Sequence, residues 1–136
     1  VEAPSSGVTP RLNQEILDEG RHFLQMNGKE VFRHAVTRFP QVIMEGLDAN
    51  GLTPEDIDLL VPHQANIRIA QMIQKRLKLR DDQVFSNIHK YGNTTAASIP
   101  IALCEAMDEG RVKKGDLVVF AAFGSGFTWA SAIVKW

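Results

Sequence analysis

Two polar turns hold the residues best suited to chemistry, Pro62-His63-Gln64-Ala65-Asn66 and Tyr91-Gly92-Asn93-Thr94-Thr95. A histidine donates or accepts a hydrogen bond near neutral pH, and an asparagine amide does both without titrating. Taken as residues alone, His63 can bond a loop backbone and Asn93 can cap the helix that follows it. A third segment, Phe123-Gly124-Ser125-Gly126, has the glycines of a tight hairpin. The four histidines and one cysteine match no zinc spacing, so no metal is expected. Cys104 has no partner for an internal disulfide, which points to a reducing compartment.

Apolar periodicity defines the elements that must position these turns. From Glu30 to Leu47, Phe32, Ala35, Val36, Phe39, Ile43 and Leu47 recur at helical spacing, with Pro40 bending the helix and Asn50-Gly51 closing it. Thr53-Pro54-Glu55-Asp56 begins one short helical turn. Leu59-Leu60-Val61 then reads as a buried strand that delivers His63. Ile69, Met72, Ile73 and Leu77 form the apolar stripe of a second helix, whose other face carries Arg68, Gln71, Lys75 and Lys78. Gln83–Ser86 is a short strand candidate. A helix follows Asn93 with Ala96, Ile99, Leu103 and Met107 on its apolar side, where Cys104 is expected in the core. Leu117–Ala122 and Phe127–Val134 pair as a hairpin, and Phe23–Met26 is a strand edge stopped by Asn27-Gly28.

The expected order is therefore β-α-β-α-β-α-β-β, a helix-covered mixed sheet in an α/β fold. In such sheets, polar residues at the carboxyl ends of strands are where ligands sit. A polar lead over residues 1–22 precedes one domain over 23–136. The chain is 44% hydrophobic and 23% charged, ordinary for a globular protein. Fifteen Lys plus Arg against sixteen Asp plus Glu leave a charge of -1, so nucleic acid is not an expected partner. No apolar run approaches the roughly 18 residues of a membrane span, and no signal sequence is read, so a cytoplasmic address is expected. The chain opens on Val1 rather than Met, as a start inside a longer protein would.

Three segments in order, VPHQANIRIA, KYGNTTAASIP and AAFGSGFTWASAIVKW, carry a family resemblance. Over residues 23–136 the chain resembles the β-ketoacyl-acyl-carrier-protein synthase III family. The resemblance implies a thiolase-like fold, of which this is the C-terminal half. In that family an acyl group passes from coenzyme A to a cysteine, malonyl-acyl-carrier protein loses CO2, and the carbanion attacks the acyl-enzyme. The matching residues here are His63 and Asn93, which would donate hydrogen bonds to the thioester oxygen as charge develops there. Ser125 matches the backbone donor of the oxyanion hole, at a position where the family more often has Gly or Ala. Phe123 matches an apolar wall beside the nucleophile, with a core hairpin residue as its plainer reading.

The same resemblance puts Arg68, Lys75 and Arg76 on a basic surface for the acidic carrier protein, and Arg33 and Lys29 at the pantetheine entrance. Gln64 is grouped with these binding residues and is expected to support the His63 loop. A solvated helix face is the plainer reading of the charges. The family's nucleophilic cysteine belongs to its N-terminal half and has no match here, so the chain alone should not condense. The implied substrates are coenzyme A and acyl-carrier-protein phosphopantetheine thioesters, with no resident cofactor. The implied partners are the carrier protein, the N-terminal half and a second copy of the chain. A rival reading is a non-catalytic carrier-binding or assembly module.

Overall fold

In a computed structural model that describes residues 13–23 and 26–136, the lead contains a short helix, α1 (Gln14–Asp18). Asn13 caps it by accepting from Ile16 N, and Ile16 is buried. The stripe expected from Glu30 to Leu47 forms α2 (Gly28–Ala49), with Pro40 inside it. A 3-10 turn over Pro54–Asp56 leads into β1 (Leu59–Pro62), whose four residues are all buried. The remaining elements are α3 (Ile67–Leu77), α4 (Ile88–Tyr91), α5 (Ser98–Asp108), β2 (Leu117–Gly124) and β3 (Thr128–Lys135).

Among the described residues, the sheet has three strands in the order β1-β2-β3. β1 lies parallel to β2, from Leu59 opposite Val118 to Pro62 opposite Ala121, and β2 is antiparallel to β3. Successive side chains of a strand point to opposite faces, and here each face has its own core. Leu60, Val119, Ala121 and Phe123 meet α2 and α3 through Val36, Phe39, Ile43, Leu47 and Ile73. Leu59, Val61 and Val118 meet α5 through Ala102 and Ala106, together with Phe85 and Val112. Phe39, Ile43 and Leu47 are almost fully buried, and each such side chain contributes about 1.5–3 kcal/mol through removal from water.

One expected strand is absent among the described residues. Gln83–Ser86 is a 3-10 turn over Asp81–Gln83 followed by one bridge, Leu60 to Val84. Gln83 spends its amide on the turn and on Ile57 O, and the chain bends away before a second ladder rung can form. Of the expected strand Phe23–Met26, Leu24 and Gln25 lie outside the described residues, while Phe23 and Met26 are exposed and irregular. Cys104 is also misassigned to the core, for it is exposed. The buried stripe of α5 runs Ser98, Ala102, Ala106. At about 100° per residue, Cys104 is rotated some 200° from Ala102 and Ala106 and points away.

Candidate active site

The parallel pairing of β1 with β2 continues one residue beyond the strand, because His63 N donates to Ala121 O at 2.8 Å. The chain then turns, and Asn66 starts α3 by accepting from Arg68 N at 2.9 Å. His63 is half-buried on the α5 side of the sheet, its Nδ1 2.6 Å from Ser98 Oγ. Burial lowers the His63 pKa from the ordinary value of 6.5, because removal from water penalises the charged ring. The ring is therefore neutral at pH 7.

Gln64 is 3% exposed. Its Nε2 donates to Pro62 O at 2.6 Å and to Phe85 O at 3.5 Å, while Oε1 accepts from Ser86 Oγ and Asn87 N. These bonds tie the His63 loop to the segment after Gln83 and leave Gln64 almost no exposed surface.

Gly92, at φ 67°, ends α4 and releases Asn93 into solvent. Asn93 Oδ1 accepts from Thr95 N at 2.9 Å. This bond orients the amide and leaves Nδ2 without a partner among the described residues. Thr95 sits at φ 52°, and for a β-branched side chain the left-handed region costs of order 1–3 kcal/mol. The α5 helix starts at Ser98 rather than directly after Asn93. One short segment therefore carries the exposed amide at its start and the anchor of His63 at its end.

At the hairpin tip, Ser125 is exposed and its N–H has no hydrogen-bond partner among the described residues. Thr128 Oγ1 donates to Ser125 O at 3.3 Å, and Gly126 and Phe127 take positive φ. Phe123 is only 8% exposed and faces α2, 6.4 Å from the Phe39 ring and stacked on Trp129 at 6.3 Å. His63 lies toward α5, on the opposite face of the sheet from Phe123.

The basic residues divide between the two ends of α3. Arg68, at its start, lies over the Phe32 ring at 5.9 Å, and His34 meets Phe127 edge-on at 4.7 Å. These contacts draw the beginnings of α2 and α3 and the hairpin tip to one end of the fold. Lys29 and Arg33 are exposed there, Arg33 bonded to Glu30 at 2.6 Å. Lys75 and Arg76 occupy the last turn of α3, about 10–12 Å farther along the helix. Arg76 Nη1 donates to Val36 O at 2.9 Å, so part of its guanidinium serves the fold.

Ser98 was the functional neighbour that sequence reasoning missed. Its only signal was a hydroxyl on the otherwise apolar buried stripe of α5. Among the described residues no group of His, Cys, Asp or Glu is arranged to hold a metal, and no helix is long and apolar enough to cross a membrane.

Helices on both faces of a mixed sheet, with polar turns at the strand ends, define an α/β unit of the thiolase-like class. Residues 47–136 match the model of the family described as 3-oxoacyl-[acyl-carrier-protein] synthase III C terminal. The chain belongs to that family. It is 49% identical over 133 residues to the β-ketoacyl-[acyl-carrier-protein] synthase III of Caldanaerobacter subterraneus, covering 98% of this chain and 40% of that protein. The synthase III of Clostridioides difficile is 46% identical over 136 residues, covering 100% of this chain and 42% of its own length. The crystal structure of the Aquifex aeolicus 3-oxoacyl-[acyl-carrier-protein] synthase III superposes with a TM-score of 0.83 at 44% identity, over 87% of this chain and 38% of that one. The chain thus spans about 40% of the length of the curated relatives it matches.

Proposed function

We propose that this chain is the C-terminal catalytic part of a β-ketoacyl-acyl-carrier-protein synthase III, in which His63 and Asn93 assist the decarboxylation of a malonyl thioester. Loss of CO2 leaves an electron pair that spreads onto the thioester oxygen. A fixed neutral donor aimed at that oxygen lowers the barrier, because its hydrogen bond strengthens as the charge grows. The observation that carries this reading is Asn93. Its Oδ1 is committed to Thr95 N, so the Nδ2 protons of an exposed amide remain to be donated.

The carbanion would attack an acyl group held on a cysteine from outside residues 1–136. Cys104 is unsuited, since it lies on the outer face of α5. The Ser125 N–H, which has no partner among the described residues, would complete the oxyanion hole. Arg68, Arg33 and Lys29 would meet the phosphopantetheine of the carrier protein or coenzyme A, and Lys75 the carrier protein's acidic surface. Arg76 would add what its bond to Val36 leaves free.

The test is CO2 release from malonyl-carrier protein by this chain, mixed with a separately produced N-terminal part of a relative. Activity should appear in the mixture and fall about 100- to 1,000-fold with His63→Ala or Asn93→Ala. Carrier binding without decarboxylation would instead favour a non-catalytic carrier-binding module.

A further inference from the structure

Ser98 is the polar member of the buried α5 stripe that continues through Ala102 and Ala106, and it is 2% exposed. Its oxygen takes part in two hydrogen bonds. Gln64 N donates to Ser98 Oγ at 3.2 Å, and His63 Nδ1 lies 2.6 Å from the same atom. The first donor is held in place, because the Gln64 side chain is bound by Pro62 O, Phe85 O, Ser86 Oγ and Asn87 N.

A serine hydroxyl has one proton to give and two lone pairs to receive with. Gln64 N occupies one lone pair. Among the described residues, the acceptor within reach of the Ser98 proton is His63 Nδ1. If Nδ1 carried the proton instead, Oγ would receive two donors, and its own proton would be buried without an acceptor. A buried donor without an acceptor is disfavoured by roughly tenfold or more in population.

We propose that Ser98 is a positioning residue whose hydroxyl donates to His63 Nδ1 and so fixes the ring as the tautomer protonated on Nε2. The inference rests on reading His63 as a donor to the thioester oxygen, since only a protonated Nε2 can donate away from Ser98. Nε2 makes no hydrogen bond among the described residues and lies across the ring from the buried anchor. Burial keeps the ring neutral at pH 7, so the choice between tautomers is a real one. The backbone of the His63 loop and the side chain of α5 thereby decide together which nitrogen faces substrate.

The test is long-range 1H–15N correlation of the His63 ring at pH 7 in this chain, without substrate. The unsubstituted chain should show a lone-pair nitrogen shift at Nδ1 and a protonated one at Nε2. Ser98→Ala should give mixed tautomers, and Ser98→Thr, which keeps the hydroxyl, should restore the single form. In the mixture with an N-terminal part, Ser98→Ala should lower the decarboxylation kcat roughly tenfold. A proton on Nδ1 in the unsubstituted chain overturns the proposal, whether or not the variants fold. So does an unchanged ring spectrum in folded Ser98→Ala. The ring spectrum needs no activity, so an Nε2 proton with His63→Ala leaving CO2 release intact would sink the proposed function and leave the tautomer assignment standing.

Discussion

Arg76 gives Val36 the hydrogen bond that Pro40 cannot. In a helix the N–H of residue 40 would donate to the carbonyl of residue 36, but proline has no N–H. Arg76 Nη1 reaches across from α3 and donates to Val36 O at 2.9 Å. The proline therefore remains inside α2 with its orphaned carbonyl satisfied, and the bond pins α3 against α2.

This pairing predicts a specific non-additivity. Arg76→Ala should cost about 1 kcal/mol, a typical net value for one hydrogen bond. In a Pro40→Ala background, the backbone N–H restored at that position would satisfy Val36 O from within α2, and the same arginine substitution should cost measurably less. Urea unfolding of the four proteins in the cycle measures the coupling. Equal costs in both backgrounds would mean that Arg76 does not substitute for the missing donor.

His63 should make stability depend on pH. Its folded pKa lies below the unfolded value of 6.5 because of burial. As pH falls through about 6.5 the unfolded chain binds a proton that the native ring resists, so stability drops until the lowered folded pKa is passed. Above 6.5 both states are neutral and the full contribution is present. Urea midpoints between pH 7.5 and about 5 should fall more for the unsubstituted chain than for His63→Gln. Parallel pH profiles for the two proteins would contradict this.

Gly46 marks a close approach of α2 to β3. A Cβ there would lie 3.1 Å from Ser131 Oγ and 3.2 Å from Ile133 Cδ1. Ser131 cannot move freely, since its hydroxyl donates to Val42 O at 2.8 Å. Gly46→Val should destabilise by about 1–3 kcal/mol through overpacking. Gly46→Ala should cost far less, because the roughly 1 kcal/mol of helix propensity gained over glycine offsets a small shift. Thermal unfolding of both variants measures the difference, and a Val variant as stable as the parent would show that the helix can lift away from the strand.

The edge of β3 and its side chains favour self-association. Among the described residues β3 pairs only with β2, leaving its other edge open, and Trp129, Val134 and Trp136 are each 37% exposed. An open strand edge beside exposed apolar groups pairs readily with another chain. Light scattering at micromolar concentration should report a homodimer, and Val134→Lys should shift it toward monomer. A monomeric mass for the unsubstituted chain would rule this out.

Much of this protein was legible in its sequence. The 3.6-residue apolar period marked α2 from Phe32 to Leu47, and the unbroken apolar runs marked β1, β2 and the hairpin to β3, because each pattern is local and repeats within its own element. The motif segments around His63, Asn93 and Ser125 were likewise visible as polar turns bounded by those elements. What remained hidden depends on partners distant in the chain. Val84 could be a strand only with a ladder beside it, and it received one bridge. Cys104 had the right composition for a core, but the face it occupies was settled by the docking of α5. Arg76 looked like a surface residue until the gap left by Pro40 gave it an internal partner. Ser98 meets His63 from 35 positions away. Periodicity tells a residue which side of its own element it lies on, whereas a hydrogen bond between elements exists only once packing has fixed both of them, and that step decides the proton on His63.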